Sequence, residues 1–164
     1  MHLRSLLLPL AAALLAGVPC LHVTAQSASP PHFVEEYEYF TTDAQYEAWY
    51  TLTTQLVGNF DDICGDTFCE GDYSNIQSLR FRCSVEQSSG RIGQCVWIFA
   101  GSYEEIDPAT GVVAVEARTW NCPTPLARRT TMTALLSALA GDDPLDTPLP
   151  GTQTTIYDGL ADCL

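Results

Sequence analysis

Asp61 to Asn75 holds the densest set of reactive side chains in the sequence: Asp61, Asp62, Asp66, Glu70 and Asp72, with Cys64 and Cys69 between them. Carboxylates at this density suit Ca²⁺, which takes roughly six to eight oxygen ligands. The spacing does not match the EF-hand pattern, whose acidic positions are fixed around a glycine. The sequence therefore favours a solvated loop pinned by its own cysteines, and no metal or other cofactor is expected. Asp66, Phe68, Glu70, Asp72 and Tyr73 mix acids with aromatics on that loop and are the candidate partner-binding residues.

Covalent catalysis finds little to work with. A serine or cysteine nucleophile needs a base at hydrogen-bond range. Once the leader described below is removed, His32 is the single histidine, and it lies in a Ser/Pro-rich arm. The motifs G-x-S-x-G, H-E-x-x-H, the P-loop and G-x-G-x-x-G are all absent from the sequence. A carboxylate pair with split pKa values would suffice for hydrolysis, and Glu104-Glu105 or the acidic loop would supply one. Among 20 acidic residues such neighbours arise by chance, so no catalytic residue is assigned and an enzyme is not expected. Arg80, Arg82 and Arg118 are placed on the sheet face away from Phe81 and Cys83, pairing with acids such as Glu116 or receiving an acidic ligand.

The cysteines need an oxidising compartment, and the N-terminus provides for one. Arg4, the apolar run Leu6 to Leu15 and Val23-Thr24-Ala25 read as a secretory signal with its cleavage site, covering residues 1–25. That run is too short to span a bilayer, which takes ~20 apolar residues. Cleavage removes Cys20 and leaves an even set of six cysteines, as a disulfide framework requires. Lipidation of Cys20 is disfavoured by Pro19 before it and Gly17 where leucine is usual. The remaining 139 residues suffice for one domain with its own core. They carry six arginines, no lysine and all 20 acids, a net charge of −14. Such a surface repels nucleic acid and anionic membrane, and draws a basic protein.

The elements that position these residues follow from periodicity. Residues 26–40 form an N-terminal arm, with Phe33 to Phe40 left between an edge strand and an extended lead-in. Residues 41–164 form the domain. Thr42 and Gln45 make a capping box, followed by a helical stripe at Tyr46, Trp49, Tyr50, Thr53, Leu56, Val57 and Phe60 that weakens at Gly58-Asn59. Leu79, Phe81, Cys83 and Val85 alternate with polar residues along a strand. Around a Ser88-Ser89-Gly90 turn, Cys83 falls opposite Cys95, Phe81 opposite Trp97 and Leu79 opposite Phe99. Asp107 to Gly111 turns the chain again, Val112 to Asn121 forms a third strand, and Pro123 and Pro125 stop it. A helix then opens at Thr130 or Thr131 and carries Met132, Leu135, Leu136 and Leu139. Asp142 to Gly151 links over the surface to a last helix near Thr154 to Cys163. The expected fold is α+β: an N-terminal helix, a three-stranded antiparallel meander and two C-terminal helices, stabilised by disulfides.

The register puts Cys83 and Cys95 within bridging reach. Cys64 and Cys69 close within their loop, and Cys122 is left for Cys163. The swapped set, Cys64 with Cys163 and Cys69 with Cys122, satisfies the same count. Together these features describe a small secreted or periplasmic acidic binding protein. An inhibitor or immunity protein against a basic secreted hydrolase is the form this would take. The alternatives are a carboxylate-dependent secreted hydrolase and a structural envelope protein.

Overall fold

The computed structural model describes residues 30–164, so the leader, its cleavage point and Cys20 lie outside the described residues. Nine elements follow in order: β1 (Phe33–Glu35), α1 (Glu36–Tyr39), α2 (Asp43–Cys64), a 3₁₀ turn (Gly71–Tyr73), β2 (Gln77–Glu86), β3 (Ile92–Ile106), β4 (Val113–Pro123), α3 (Met132–Ala138) and α4 (Ile156–Ala161). The strands form one antiparallel sheet in the order β1-β2-β3-β4, so the expected α+β fold has four strands rather than three. The added strand comes from the stretch assigned to the N-terminal arm, where Val34 pairs with Val85 and Phe33 with Glu86. Of the two alternatives for this stretch the edge strand forms; its three residues are too few to show a period of two, so alternation alone does not decide between them.

The capping box forms: the Thr42 hydroxyl accepts from Gln45 N–H at 3.4 Å, and the Gln45 side chain accepts from Thr42 N–H at 3.2 Å. The helix it starts runs 22 residues, through Gly58 and Asn59 rather than ending there. Its buried stripe is Trp49, Leu52, Leu56, Phe60 and Cys64, and the last two hold the end of the helix down. Tyr50 and Val57 sit on the flank and are exposed, at 67% and 40%. Tyr46 stacks on Tyr37 and gives its hydroxyl to the Tyr37 and Phe40 carbonyls, at 3.1 Å each.

Across the central hairpin Phe81 faces Trp97 and Cys83 faces Cys95, as the alternation requires. Leu79 does not face Phe99. The ladder slips between Ser78 and Arg80, so Ser78 takes that place and Leu79 bulges out, 57% exposed. The slip satisfies a buried indole: Trp97 Nε1 donates to Ser78 Oγ at 2.8 Å. β4 continues to Pro123, two residues beyond its expected end. The inner rows Phe81, Cys83, Val85, Cys95, Trp97, Phe99, Trp120 and Cys122 pack with the α2 stripe into one core.

The C-terminal segments seal the core. Thr131 and Thr155 cap α3 and α4, the latter by a capping box with Asp158. The stretch from Asp142 to Gly151 is no mere surface linker, because Leu145 and Leu149 are fully buried. Leu145 also accepts from Tyr157 N–H at 3.1 Å, and Leu149 N–H donates to Thr154 at 2.8 Å. Proline spacing hides this, since three prolines forbid the helix that Leu145 and Leu149, four apart, would otherwise suggest. The cysteines pair as Cys64–Cys69, Cys83–Cys95 and Cys122–Cys163, with Cα separations of 5.0, 4.0 and 5.5 Å. Such a set fits an oxidising, extracytoplasmic environment. Among the described residues no helix is long and apolar enough to cross a membrane.

Candidate functional site

The acidic loop divides its candidate residues between core and solvent. Phe68 turns inward, stacked on Phe60 at 6.2 Å and against Tyr157 at 5.6 Å. Tyr73 meets Trp120 edge-on at 5.3 Å and gives its hydroxyl to Glu116 at 2.7 Å. That bond to Glu116 holds the Tyr73 hydroxyl above its usual pKa. Asp66, Glu70 and Asp72 remain exposed. The structure therefore does not assemble acids and aromatics into one protruding surface: the aromatics anchor the loop and the acids face water. Among the described residues no group of three His, Cys, Asp or Glu side chains is arranged to hold a metal ion.

The arginines also differ from their expected placement. Arg80 and Arg82 pair with Glu35 at the end of β1 rather than with Glu116, Arg80 at 3.8 Å. Arg118 lies on the core face, because β3–β4 pairing sets it opposite Gly101 in the Phe99–Trp120 row. Its guanidinium sits 5.1 Å from the Trp120 ring and 5.9 Å from the Tyr73 ring. Arg91 pairs with Glu86 at 3.1 Å. Among the described residues, ion pairs thus engage only Glu35 and Glu86, leaving most of the negative charge unneutralised.

The most unusual side chain is one that sequence reasoning did not single out. Glu36 follows β1 directly and is 0% exposed. Strand pairing explains its position. β1 ends at Glu35 opposite Ser84, and the chain then turns into α1, so the next free donor on the β2 edge, Cys83 N–H, has no backbone partner. The Glu36 carboxylate replaces the missing strand and accepts that N–H through Oε2 at 3.1 Å. Its other oxygen, Oε1, is buried without a hydrogen-bond partner among the described residues. Gln55, Asn59 and Thr124 each carry a similar orphan oxygen, but only Glu36 carries it on a carboxylate, where the cost of desolvation is largest.

Glu36 lines a cleft of about 410 Å³ between α2 and the part of β2 that β1 leaves uncovered. Trp49, Phe81 and Trp97 form its aromatic wall, with ring centroids 5.6 Å apart for Trp49–Phe81 and 6.0 Å for Phe81–Trp97. Thr53, Thr54 and Ser78 add hydroxyls, Tyr37 flanks the opening at 43% exposure, and Arg80 brings one positive charge to the lining, partly offset by Glu35 at 3.8 Å. A carboxylate beside aromatic rings suits a cationic or N–H-bearing group, which the orphan oxygen would accept and the ring faces would attract. Glu36 is the one carboxylate among the residues lining the cleft. The sequence signal for the site was faint: a glutamate one residue past a very short strand, in a segment with no clean period.

Comparison with protein-family models, with curated proteins and with solved structures finds no match for this chain.

Proposed function

We propose that this is an exported, non-catalytic binding module that captures a basic protein, taking one cationic side chain into the cleft over Glu36. The observation that carries the reading is the buried Glu36 Oε1, which lacks a partner beside an aromatic wall. The surrounding surface supports it. A net charge of −14 steers basic partners toward the molecule, and Asp66, Glu70 and Asp72 stand on a loop held by Cys64–Cys69. A basic secreted hydrolase is the partner class that best fits an acidic protein released beside it.

The test is capture of a panel of basic and acidic secreted hydrolases by the oxidised protein beginning at Gln26, at low and at moderate salt. Basic members are retained and acidic ones are not. Glu36→Gln keeps an acceptor for Cys83 N–H but fills the orphan position with a donor, and it weakens capture roughly tenfold or more. Reversal of Asp66, Glu70 and Asp72 slows association and flattens the salt dependence. Equal retention of acidic and basic proteins, or full binding by Glu36→Gln, would refute the reading.

A further inference from the structure

We propose that the protein forms a two-fold dimer in which β4 pairs antiparallel with β4 of a second copy, centred on Ala117. Among the described residues β4 ends the sheet, and only β3 bonds to it. Thr124 N–H donates to the Cys95 carbonyl and Asp107 N–H to the Val112 carbonyl, both at 2.9 Å. With the β3–β4 register, these bonds show which backbone groups face β3: those of Ala114, Glu116, Arg118, Trp120 and Cys122. The alternate residues, Val113, Val115, Ala117, Thr119 and Asn121, direct N–H and C=O to the open edge, and all five are exposed. Pro123, next in that set, has no N–H and ends the open ladder.

Charge selects the register. Pairing centred on Glu116 or on Arg118 sets like charges directly opposite each other. Pairing centred on Ala117 sets Glu116 opposite the partner's Arg118, and does so twice because the contact is two-fold. Both positions are then in the closer, non-hydrogen-bonded type of cross-strand pair. The same register matches Val115 with Thr119 and Val113 with Asn121 across the open ladder. Among the described residues of one copy neither charge is in an ion pair: Glu116 accepts from Tyr73, and Arg118 rests on Trp120 and Tyr73. Both are thereby held on one face of the open strand. Lysine and proline, two of the devices that blunt an edge, are absent from β4 before Pro123, and the charges the strand does carry, Glu116 and Arg118, are of opposite sign. Val112, Val113 and Val115 are 60%, 55% and 63% exposed. Bulk repulsion between two acidic copies is screened within about 8 Å at physiological salt. This edge lies on the far side of the sheet from Glu36, so the dimer does not depend on the binding reading.

Sedimentation of the oxidised protein beginning at Gln26, from micromolar to near-millimolar concentration at physiological salt, tests the proposal. A concentration-dependent dimer is expected. Glu116→Arg sets arginines opposite one another and weakens it roughly tenfold or more, and the exchange Glu116→Arg with Arg118→Glu restores it. Thr119→Pro removes an N–H aimed at the open edge without touching the bonds to β3, and leaves a folded monomer. A wild-type monomer throughout the range, a dimer undiminished by Thr119→Pro, or an exchange no tighter than Glu116→Arg alone would overturn it.

Discussion

The two edges of the sheet end differently. On one side β2 is shielded by three residues of β1, and where β1 stops the Glu36 carboxylate takes over as acceptor for Cys83 N–H. Glu35 and its two arginines add charge to the outer surface there. On the other side β4 is open along Val113 to Asn121 and exposes valines. An edge strand with unpaired groups is a template for another chain, so the contrast separates a closed edge that conceals a carboxylate from an open edge that offers backbone. The open edge is nonetheless well anchored from inside, by Trp120 in the core and by Cys122–Cys163 to α4.

Breaking that anchor has the largest expected effect. Cys122→Ser with Cys163→Ser releases the longest loop, closed over a sequence separation of 41. The chain-entropy model assigns such a loop about 4 kcal/mol, read as a lowered urea midpoint. At the closed edge Glu36→Ala strands the Cys83 N–H and costs about 1–3 kcal/mol in the same assay, whereas Glu36→Gln costs less because an acceptor is retained. Glu35→Ala frees Arg80 and Arg82, whose side chains are 50% and 42% exposed. Solvent screening holds that loss to about 0–1 kcal/mol, so a larger loss would mean that the ion pairs, and not Glu36, close this edge.

The smallest effect belongs to the open edge and is read against pH. Tyr73 has a raised pKa because its hydroxyl donates to Glu116. Its contribution is therefore fully present below the unfolded value near 10 and is lost as pH rises through the higher folded value. Tyr73→Phe should remove that alkaline decline, lowering stability slightly at neutral pH, where the contribution is present, without changing the pH dependence there.

These differences track what a sequence pattern can carry. Period-two alternation around one turn is enough to place Cys83 opposite Cys95 and Phe81 opposite Trp97, whereas the even count leaves two pairings open for the other four cysteines, between which the structure decides. The same rule failed at Leu79, because a bulge is chosen by a tertiary need, here an acceptor for the Trp97 indole. β1 stays one of two alternatives because three residues show no period, and Glu36 is not singled out, since its role depends on where β1 stops. Arg118 was assigned to the wrong face because the third strand's register was not pinned by any cross-strand pair of cysteines or aromatics. The acidic loop was legible as composition, but composition could not show that Phe68 and Tyr73 point inward.

A cation held by Glu36 would be reported by the bond between its carboxylate and Cys83 N–H. We would titrate the ¹⁵N-labelled, oxidised protein with an end-capped lysine or arginine and follow the Cys83 amide. A cation on Oε1 draws charge from Oε2 and weakens its bond to Cys83, so a saturable Cys83 shift is expected, and Glu36→Gln abolishes it. Shifts confined to Asp66, Glu70 and Asp72, with Cys83 unmoved, would contradict it.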